Sequence, residues 1–346
     1  MIPRTPRICQ TETAQTREPL GDWQTQLGAA IRDPAELLRY LELPGSLLAG
    51  AKAASDTFAL RVPLSYLEKI KKGDINDPLL RQILPLDAEM FSDPHFSQDP
   101  VGDIAAMAVP GVLHKYHGRV LLITTPACGI HCRYCFRRHF PYQENRPEQN
   151  WQAAMDYIRK NPDIHEVILS GGDPLSLNEV RLTQLSNQLR DIPHIQTLRI
   201  HTRQAVVLPE RINDKFLDWI DSLPWKIVMV LHVNHANEID DVVASHLQLL
   251  QHHHVTLLNQ SVLLAGVNDN HEALVSLSQQ LFRHHVLPYY LHLLDKVQGA
   301  KHFYVEKNKA VELVSQMQKM LPGYLVPRLV QEIPGETSKT AVSGAI

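Results

Sequence analysis

The sequence predicts an α/β fold whose centre is a parallel sheet of six βα units, curled into a partial (β/α)6 barrel. From about residue 111, apolar runs rich in β-forming residues alternate with amphipathic segments. Several of the amphipathic segments begin with Asn or Pro and end near Pro, which are start and stop signals for helices. Right-handed crossovers curl such a sheet towards a barrel. Functional side chains are therefore expected at the carboxyl ends of the strands.

The elements of the barrel follow one another in a regular order. The predicted strands cover residues 119–125, 165–171, 197–203, 226–233, 255–264 and 287–295. The predicted helices between them cover residues 147–162, 178–193, 213–224, 238–254 and 270–285. The run "HHH" at 252–254 ends the fourth of these helices, where solvated histidines complement the helix dipole.

Two regions flank the barrel. Residues 1–110 contain segments of helical spacing, such as "DPAELLRYLEL" and "NDPLLRQIL", without a convincing strand. We expect this helical N-terminal region to pack on the barrel core, which covers residues 111–322. Residues 323–346 are predicted to hold one further strand that runs into a Gly-containing loop.

Composition narrows the class of protein. The 346 residues are 44% hydrophobic and 21% charged, which is typical of a soluble globular protein with a substantial core. The sequence has no run of about 18 apolar residues to span a bilayer, and its start lacks the apolar segment of a secretory signal. We therefore expect a cytoplasmic protein. A net charge of −3 without a long basic run argues against nucleic-acid binding and favours small-molecule chemistry.

Three of the four cysteines lie close together in "ACGIHCRYC", as Cys128, Cys132 and Cys135. In a reducing compartment such clusters are typical of metal ligands. Structural zinc needs four ligands, and the chain has no second cysteine pair, although His131 is a conceivable fourth ligand. A [4Fe–4S] cluster held by three cysteines keeps one iron open. Three unrelated core cysteines are the simplest alternative. Cys9, in a distant polar stretch, is predicted to be a bystander.

The spacing CxxxCxxC directly after the first strand of a βα array resembles the radical S-adenosylmethionine (SAM) superfamily. This resemblance implies a radical SAM partial barrel with a [4Fe–4S] cluster on the three cysteines, whose open iron binds SAM. The stretch "ILSGGDPL" at the end of the second strand resembles the glycine-rich motif that meets the SAM amino group, through Gly171, Gly172 and Asp173. Glycines let the backbone approach a ligand closely. The alternative is a strand-to-helix turn that ends in an N-cap carboxylate.

A longer set of motifs resembles the lysine 2,3-aminomutase family over roughly residues 58 to 340. In order, they are "YLEKIKKGDINDPLLRQILP", "CRYCFRRHF", "LSGGDPL", "VVLPERI", "HVNHANEI", "NQSVLLAGVND" and "PYYLHLLDKVQGAKHF". These enzymes combine SAM radical chemistry with pyridoxal 5′-phosphate (PLP), which is held as an internal aldimine by a lysine. The resemblance implies that this lysine is Lys339 in "EIPGETSKT", although the family's longer glycine run is missing there. Without the resemblance, Lys339 would be a solvated tail residue.

The resemblance also assigns the substrate contacts. It implies that Arg137 binds the carboxylate of free L-lysine, since a guanidinium pairs with a carboxylate through two hydrogen bonds. Asp295 matches one acid that binds the ε-ammonium, and Glu332 stands where the family has a second Asp. Further residues are candidate contacts, for SAM at Arg203, His232 and Gln260, and for the PLP phosphate at Lys115 and Arg119.

The chain ends without the cysteine-bearing extension of larger family members, and Asn270 follows "GVND" where a cysteine ligand would stand. We therefore expect no zinc. The short form resembles the bacterial branch that makes (R)-β-lysine, which a separate ligase attaches to translation elongation factor P. A homodimer is expected from the family, and direct contact with the ligase is not predictable. Two alternatives remain open: an aminomutase for another amino acid such as glutamate, and a non-catalytic Fe–S or zinc-binding protein.

Overall fold

A computed structural model describes residues 22–143 and 147–343 of the chain. Five helices form the region before the sheet: α1 (Trp23–Gly28), α2 (Pro34–Tyr40), α3 (Leu48–Thr57), α4 (Leu64–Leu67) and α5 (Pro78–Arg81). Asp33 and Asp77 cap α2 and α5 and stand directly before a proline at the first helical position. The helical character predicted for this region is therefore present. Cys9 lies outside the described residues.

Ten strands form one sheet in sequence order. The six predicted barrel strands are all present and run parallel to one another: β3 (Arg119–Thr125), β4 (Glu166–Gly171), β5 (Thr197–Thr202), β6 (Lys226–Leu231), β7 (Thr256–Val262) and β8 (Leu287–His292). The predicted α/β class with a partial (β/α)6 barrel is confirmed.

Four short strands extend the sheet beyond the barrel. β1 (Met107–Val109) and β2 (Val112–Tyr116) are antiparallel and precede β3, β9 (Arg328–Gln331) runs parallel to β8, and β10 (Thr340–Ala341) is antiparallel to β9. The Tyr116 hydroxyl at the end of β2 donates to Glu332 directly after β9, at 2.6 Å. The two ends of the sheet therefore meet across the interior.

The helices that cover the sheet are α6 (Pro147–Lys160), α7 (Glu179–Arg190), α8 (Gln204–Val207), α9 (Asp214–Asp221), α10 (Asp241–His252), α11 (His271–Arg283) and α12 (Lys307–Met320). Asn178, Asn213 and Asn270 cap α7, α9 and α11, each accepting a hydrogen bond from the third residue on. These are the start signals seen in the sequence. The histidine run ends α10 as predicted, and His253 caps it while contacting Asp221 at 2.8 Å.

Two hydrophobic cores position the functional loops. The larger core lies between the sheet and the helices from α6 to α11, and includes Leu169, Leu198, Met229 and Leu247. A second core joins the N-terminal helices to the barrel and includes Leu80 and Ile130, with Cys132 packed against it. The N-terminal region therefore supports the segment that carries the cysteines.

The hairpin of β1 and β2 was not expected, and β1 lies in the segment predicted to have no strand. Three residues are too few to show an alternating pattern. The strand predicted in the C-terminal region is present as β9.

Candidate active site

A cavity of about 490 Å³ opens at the carboxyl ends of the barrel strands. All the residues predicted for the cluster, SAM, PLP and the substrate line it, although they come from segments spread over more than 200 residues. The cavity volume lies in the range typical of small-molecule sites. The structure therefore brings the predicted residues together in one space.

The cysteine loop follows β3 and is held from outside by the N-terminal region. The guanidinium of Arg133 is fully buried, donates to both carboxylate oxygens of Glu89 at 2.8 and 2.7 Å, and reaches the carbonyl of Phe58. The His131 Nδ1 lies 2.7 Å from the carbonyl oxygen of Ala59, and the ring stacks on Phe58. His131 therefore faces the N-terminal region, not the cavity that the three cysteines line.

The three thiols are free and contribute to the cavity wall. Burial raises the pKa of Cys128, and it raises the pKa of Cys135 to about 11. Both side chains are therefore protonated at neutral pH in the protein without a metal, and cluster binding must release their protons. Within the described ranges, no three His, Cys, Asp or Glu side chains form a site for a single metal ion.

Gly171 and Gly172 close the gap between β4 and the start of the cysteine loop. Gly171 has a φ of +117°, and a Cβ on Gly172 would clash with the carbonyl oxygen of Ala127. The Gly172 N–H donates to the carbonyl of Thr125 at 2.7 Å. Both glycines are thus required by backbone packing at the edge of the cavity.

Asp173 is the N-cap of a short 3-10 helix, Pro174–Ser176, which is the alternative that the sequence left open. Its buried carboxylate accepts hydrogen bonds from the Thr202 hydroxyl and from the backbone N–H groups of Leu175, Arg203 and Gln204. Burial raises the pKa of this carboxyl group in spite of these donors. The side chain thus fastens β4 to the end of β5. Asp173 also lines the cavity, and its contact with SAM stays a prediction.

Arg203 connects the barrel to the cysteine loop. Its Nη1 donates to Cys132 Sγ at 2.7 Å and to the Tyr134 hydroxyl at 2.6 Å, and its Nη2 contacts Glu238 at 2.9 Å and Gln82 at 2.7 Å. Burial acts to lower the pKa of Arg203, but the neighbouring acidic groups raise it further than burial lowers it. The side chain is a fixed cation beside one cysteine, so its predicted contact with SAM competes with protein partners.

His232 and Gln260 lie side by side in the cavity, with 2.7 Å between the His232 Nε2 and the Gln260 Nε2. Burial and the nearby Arg203 lower the pKa of His232 to about 3, so the imidazole is neutral. Two further cavity histidines were missed by the sequence reasoning, His201 on β5 and His292 on β8. Alternation along a barrel strand would have indicated them, because every second residue faces the interior.

Arg137, two residues after the last cysteine, is buried in the cavity wall. Its Nε donates to Asp103 Oδ2 at 2.7 Å and its Nη1 to the Ser170 hydroxyl at 3.1 Å. Burial acts to lower the pKa of Arg137, but the charge of Asp103 outweighs it and the pKa is raised. Nη2 has no hydrogen-bond partner among the described residues, so it is available to a ligand. Asp103 itself was missed because it lies in an irregular segment before the sheet.

Two acids line the cavity near Lys339. Glu332 Oε2 accepts from Lys339 Nζ at 2.7 Å, while its Oε1 accepts from the Tyr116 hydroxyl at 2.6 Å and from Lys115 Nζ at 3.4 Å. The carboxylate of Asp295 has no hydrogen-bond or ion-pair partner in the part of the chain that the structure describes. Burial raises the pKa of Asp295 to about 7.

The two cations predicted for a phosphate differ in their surroundings. Lys115 Nζ contacts Asp103 Oδ1 at 2.7 Å as well as Glu332, so it is part of the acid and base network. The Arg119 guanidinium lies over the ring of Tyr116, 4.8 Å from its centre, and makes no ion pair with a described carboxylate. Arg119 is therefore the more available of the two for an anion.

Residues 122–275 match the family model described as "Radical SAM superfamily". The chain is 48% identical to the L-lysine 2,3-aminomutase of Escherichia coli (strain K12), over 92% of this chain and 94% of that protein. It is likewise 48% identical to the L-lysine 2,3-aminomutase of Haemophilus influenzae, over 92% and 95% of the two chains. The protein of that name from Clostridium subterminale is 34% identical, over 93% of this chain and 77% of that protein. None of the helices in the described ranges is both long and apolar enough to cross a membrane.

Proposed function

Since the chain belongs to the lysine 2,3-aminomutase family of radical SAM enzymes, we propose that it moves the α-amino group of free L-lysine to the adjacent carbon and forms β-lysine. The protein is an isomerase. The observation that carries the proposal is the shared cavity, in which three thiols, an arginine with a free nitrogen, an unpartnered carboxylate and a lysine amine face one space. An intramolecular transfer needs the radical source, the PLP and the substrate within reach of each other.

The cysteine end of the cavity fits a [4Fe–4S] cluster and SAM. Cys128, Cys132 and Cys135 would be the cluster ligands, a donor set that leaves one iron open. The edge formed by Gly171 and Gly172, together with His232 and Gln260, would line SAM. When bound, the cluster and SAM supply the radical that starts the reaction, and PLP supplies a conjugated ring that carries the migrating nitrogen.

The part of the cavity around Lys339 and Tyr290, the PLP end, fits PLP. Lys339 would hold its aldehyde carbon, because the Nζ lies inside the cavity and 6.0 Å from the centre of the Tyr290 ring. Arg119 would bind the phosphate, since it lines the same cavity and makes no ion pair with a described acid. Lys115 is the weaker candidate because Asp103 and Glu332 already surround its ammonium.

The substrate is recognised by charge at its two ends. Arg137 would bind the carboxylate through its free Nη2, and Asp103 keeps the guanidinium in place at 2.7 Å. Asp295 would bind the ε-ammonium, because a carboxylate without a protein partner in a buried site gains most from a cation. Glutamate as substrate would place a third carboxylate near Asp295 and Glu332, which disfavours it.

Three finer points belong to the same proposal. The product is the R isomer, it supplies the modification of elongation factor P through a separate ligase, and the enzyme is a homodimer. These points rest on the resemblance to the short-chain branch of the family, and the 48% identity over almost the full length of two relatives agrees with a short-chain member. The proposal also includes that the protein has no zinc.

Anaerobic reconstitution tests the activity. Purified protein loaded with iron, sulfide and PLP is incubated with L-lysine, SAM and a reductant, and the products are separated by regiochemistry and handedness. We expect (R)-β-lysine, and we expect glutamate and other amino acids to be poor substrates in parallel reactions. A protein with an intact cluster and bound PLP that forms no β-lysine would contradict the proposal.

A further inference from the structure

The two acids at the PLP end of the cavity differ sharply in their protein contacts. Glu332 has three partners, Lys339, Tyr116 and Lys115, and its side chain is 10% exposed. Asp295 has no hydrogen-bond or ion-pair partner among residues 22–143 and 147–343. Two acids that bind the same substrate ammonium should both lack a cation of the protein. Glu332 and Asp295 differ in this respect.

The contacts of Glu332 also fix its direction. Its Oε1 receives the Tyr116 hydroxyl at 2.6 Å, and its Oε2 receives Lys339 Nζ at 2.7 Å, so both oxygens have strong donors. Burial acts to raise the pKa of Glu332, but Lys339 and the Tyr116 hydroxyl outweigh burial and the pKa is lowered. The carboxylate is thus charged, and its charge is already matched inside the protein.

Lys339 needs such a partner. It is seven residues after Glu332, and the intervening residues 333–338 include Gly335 with a φ of +85° and several exposed positions. A lysine amine stands on a flexible four-carbon side chain, so the backbone of this loop does not fix the position of the Lys339 Nζ. The ion pair with Glu332 is the contact that directs its Nζ into the cavity.

We propose that Glu332 is a positioning residue for Lys339, and that Asp295 alone among the acids of the cavity recognises the substrate ε-ammonium. This inference rests on the proposed lysine 2,3-aminomutase function, and it changes the role that the family resemblance gives to Glu332. Glu332 would hold the Lys339 amine whenever this amine is not joined to PLP.

The surrounding charges agree with this division. Lys339 and Lys115 both contact Glu332, and Asp103 lies against Lys115, so the network from Arg137 to Lys339 alternates in sign. Asp295 stands outside it and faces the cavity with no cation in contact. A bound ε-ammonium would supply that cation.

The first test measures PLP capture by the cluster-free protein, which requires no turnover. PLP is added, the lysine–PLP adduct is reduced with borohydride, and the modified residue is identified by mass. We expect Glu332→Gln to slow capture at Lys339 by about tenfold or more, because a charge-assisted contact that directs the amine is lost. Asp156→Asn is the matched control, because it also turns an acid into an amide but lies outside the cavity lining, and it should capture PLP at the rate of the unaltered protein.

The second test measures amino-acid binding to the PLP-loaded protein without SAM or reductant, from the change in the visible absorbance of PLP. L-Lysine is compared with L-2-aminohexanoate, which has the same chain length and no ε-ammonium. We expect Asp295→Asn to reduce the preference for lysine by about tenfold or more, and Glu332→Gln to retain it. The two tests thereby distinguish binding of the ε-ammonium by Asp295 from positioning of Lys339 by Glu332.

Two further variants keep the inference testable if Glu332→Gln folds poorly, as judged by thermal unfolding. Tyr116→Phe removes only the hydroxyl that donates to Glu332 and should slow PLP capture in the same direction, while Glu332→Asp should restore part of the rate. The inference is wrong if loss of the Glu332 charge removes the lysine preference as strongly as Asp295→Asn does, or if PLP capture is unchanged in every Glu332 variant. Failure of the proposed function would instead be visible in the unaltered protein, as absent PLP capture or absent β-lysine formation.

Discussion

The two ends of the cavity are built in different ways. At the cysteine end, Arg133 and Glu89 form an ion pair with no exposed side-chain surface. Arg203 joins Cys132 to three other segments, through Tyr66, Gln82 and Glu238. At the PLP end, Lys339 is on a loop after the last barrel strand, its side chain is 23% exposed, and Asp295 has no ion-pair or hydrogen-bond partner among the described residues. The first end is braced by buried ion pairs around the thiols that would take the cluster, whereas the second contains a carboxylate without a partner among the described residues.

The cysteine end needs a rigid protein scaffold, whereas the PLP end needs a side chain that can move. A cluster must be held at a fixed place, so its loop is fastened by buried charges that tolerate no movement. A lysine that would hold PLP and release it must move, and among the described residues its one ion pair, with Glu332, is partly exposed. We therefore expect a substitution at one end to leave the function of the other end intact.

Loss of one cysteine should give the largest effect at the first end. We expect Cys132→Ala to lose the iron–sulfur absorbance and all SAM cleavage, because two thiols cannot hold the cluster. PLP capture at Lys339 should continue, since the second end makes no contact with this thiol. Cys9→Ala is the control and should retain the cluster. Loss of PLP capture in Cys132→Ala would show that the two ends are not independent.

Removal of the Lys339 amine should have the converse effect. We expect Lys339→Ala to lose borohydride-trapped PLP and lysine turnover, while the cluster content and the slow cleavage of SAM without product persist. Lys309→Ala removes an exposed amine that pairs with Asp269 at 2.7 Å, and it should behave like the unaltered protein. Trapped PLP at full yield in Lys339→Ala would move the assignment to another lysine.

The residues of the cysteine end could be predicted from the sequence because they are close together along the chain. Cys128, Cys132, Cys135 and Arg137 lie in one short segment directly after a strand, so their proximity follows from local geometry. The barrel strands were equally predictable, because apolar runs alternated with helices whose Asn caps are visible in the sequence.

The second end could not be derived in the same way. Tyr116 and Glu332 are separated by 216 positions, and their contact exists only because the sheet curls until β2 meets the segment after β9. Asp103 lies in an irregular segment, and nothing in its neighbours indicates that it holds Arg137. The pairing of Glu332 with Lys339, and the isolation of Asp295, depend on side-chain directions that no periodic pattern encodes.

The buried acid beneath the cysteine loop should control stability more than chemistry. We expect Glu89→Gln to destabilise the protein by about 3–5 kcal/mol, because two buried cations, Arg133 and Arg138, lose their common carboxylate. Thermal unfolding measures the loss, and cluster content should fall with it. Asp156→Asn breaks an ion pair in which both side chains are about half exposed, so it should change stability by no more than about 1 kcal/mol. Equal effects of the two substitutions would refute the proposed anchoring of the loop.

The smallest effect concerns pH and separates Asp295 from the other charges of the cavity. Burial raises the pKa of Asp295 to about 7, so this carboxyl group is largely protonated at pH 6 and ionised at pH 8. The substrate ε-ammonium remains charged throughout this range, since its pKa is near 10.4. Binding of the cation requires the ionised acid, and lysine affinity should therefore fall as pH decreases below 7, by up to about tenfold per pH unit. L-2-Aminohexanoate has no ε-ammonium and should show no such loss. In Asp295→Asn the pH dependences of the two ligands should coincide, and a lysine profile that still falls with acid in this variant would assign the titration to another group.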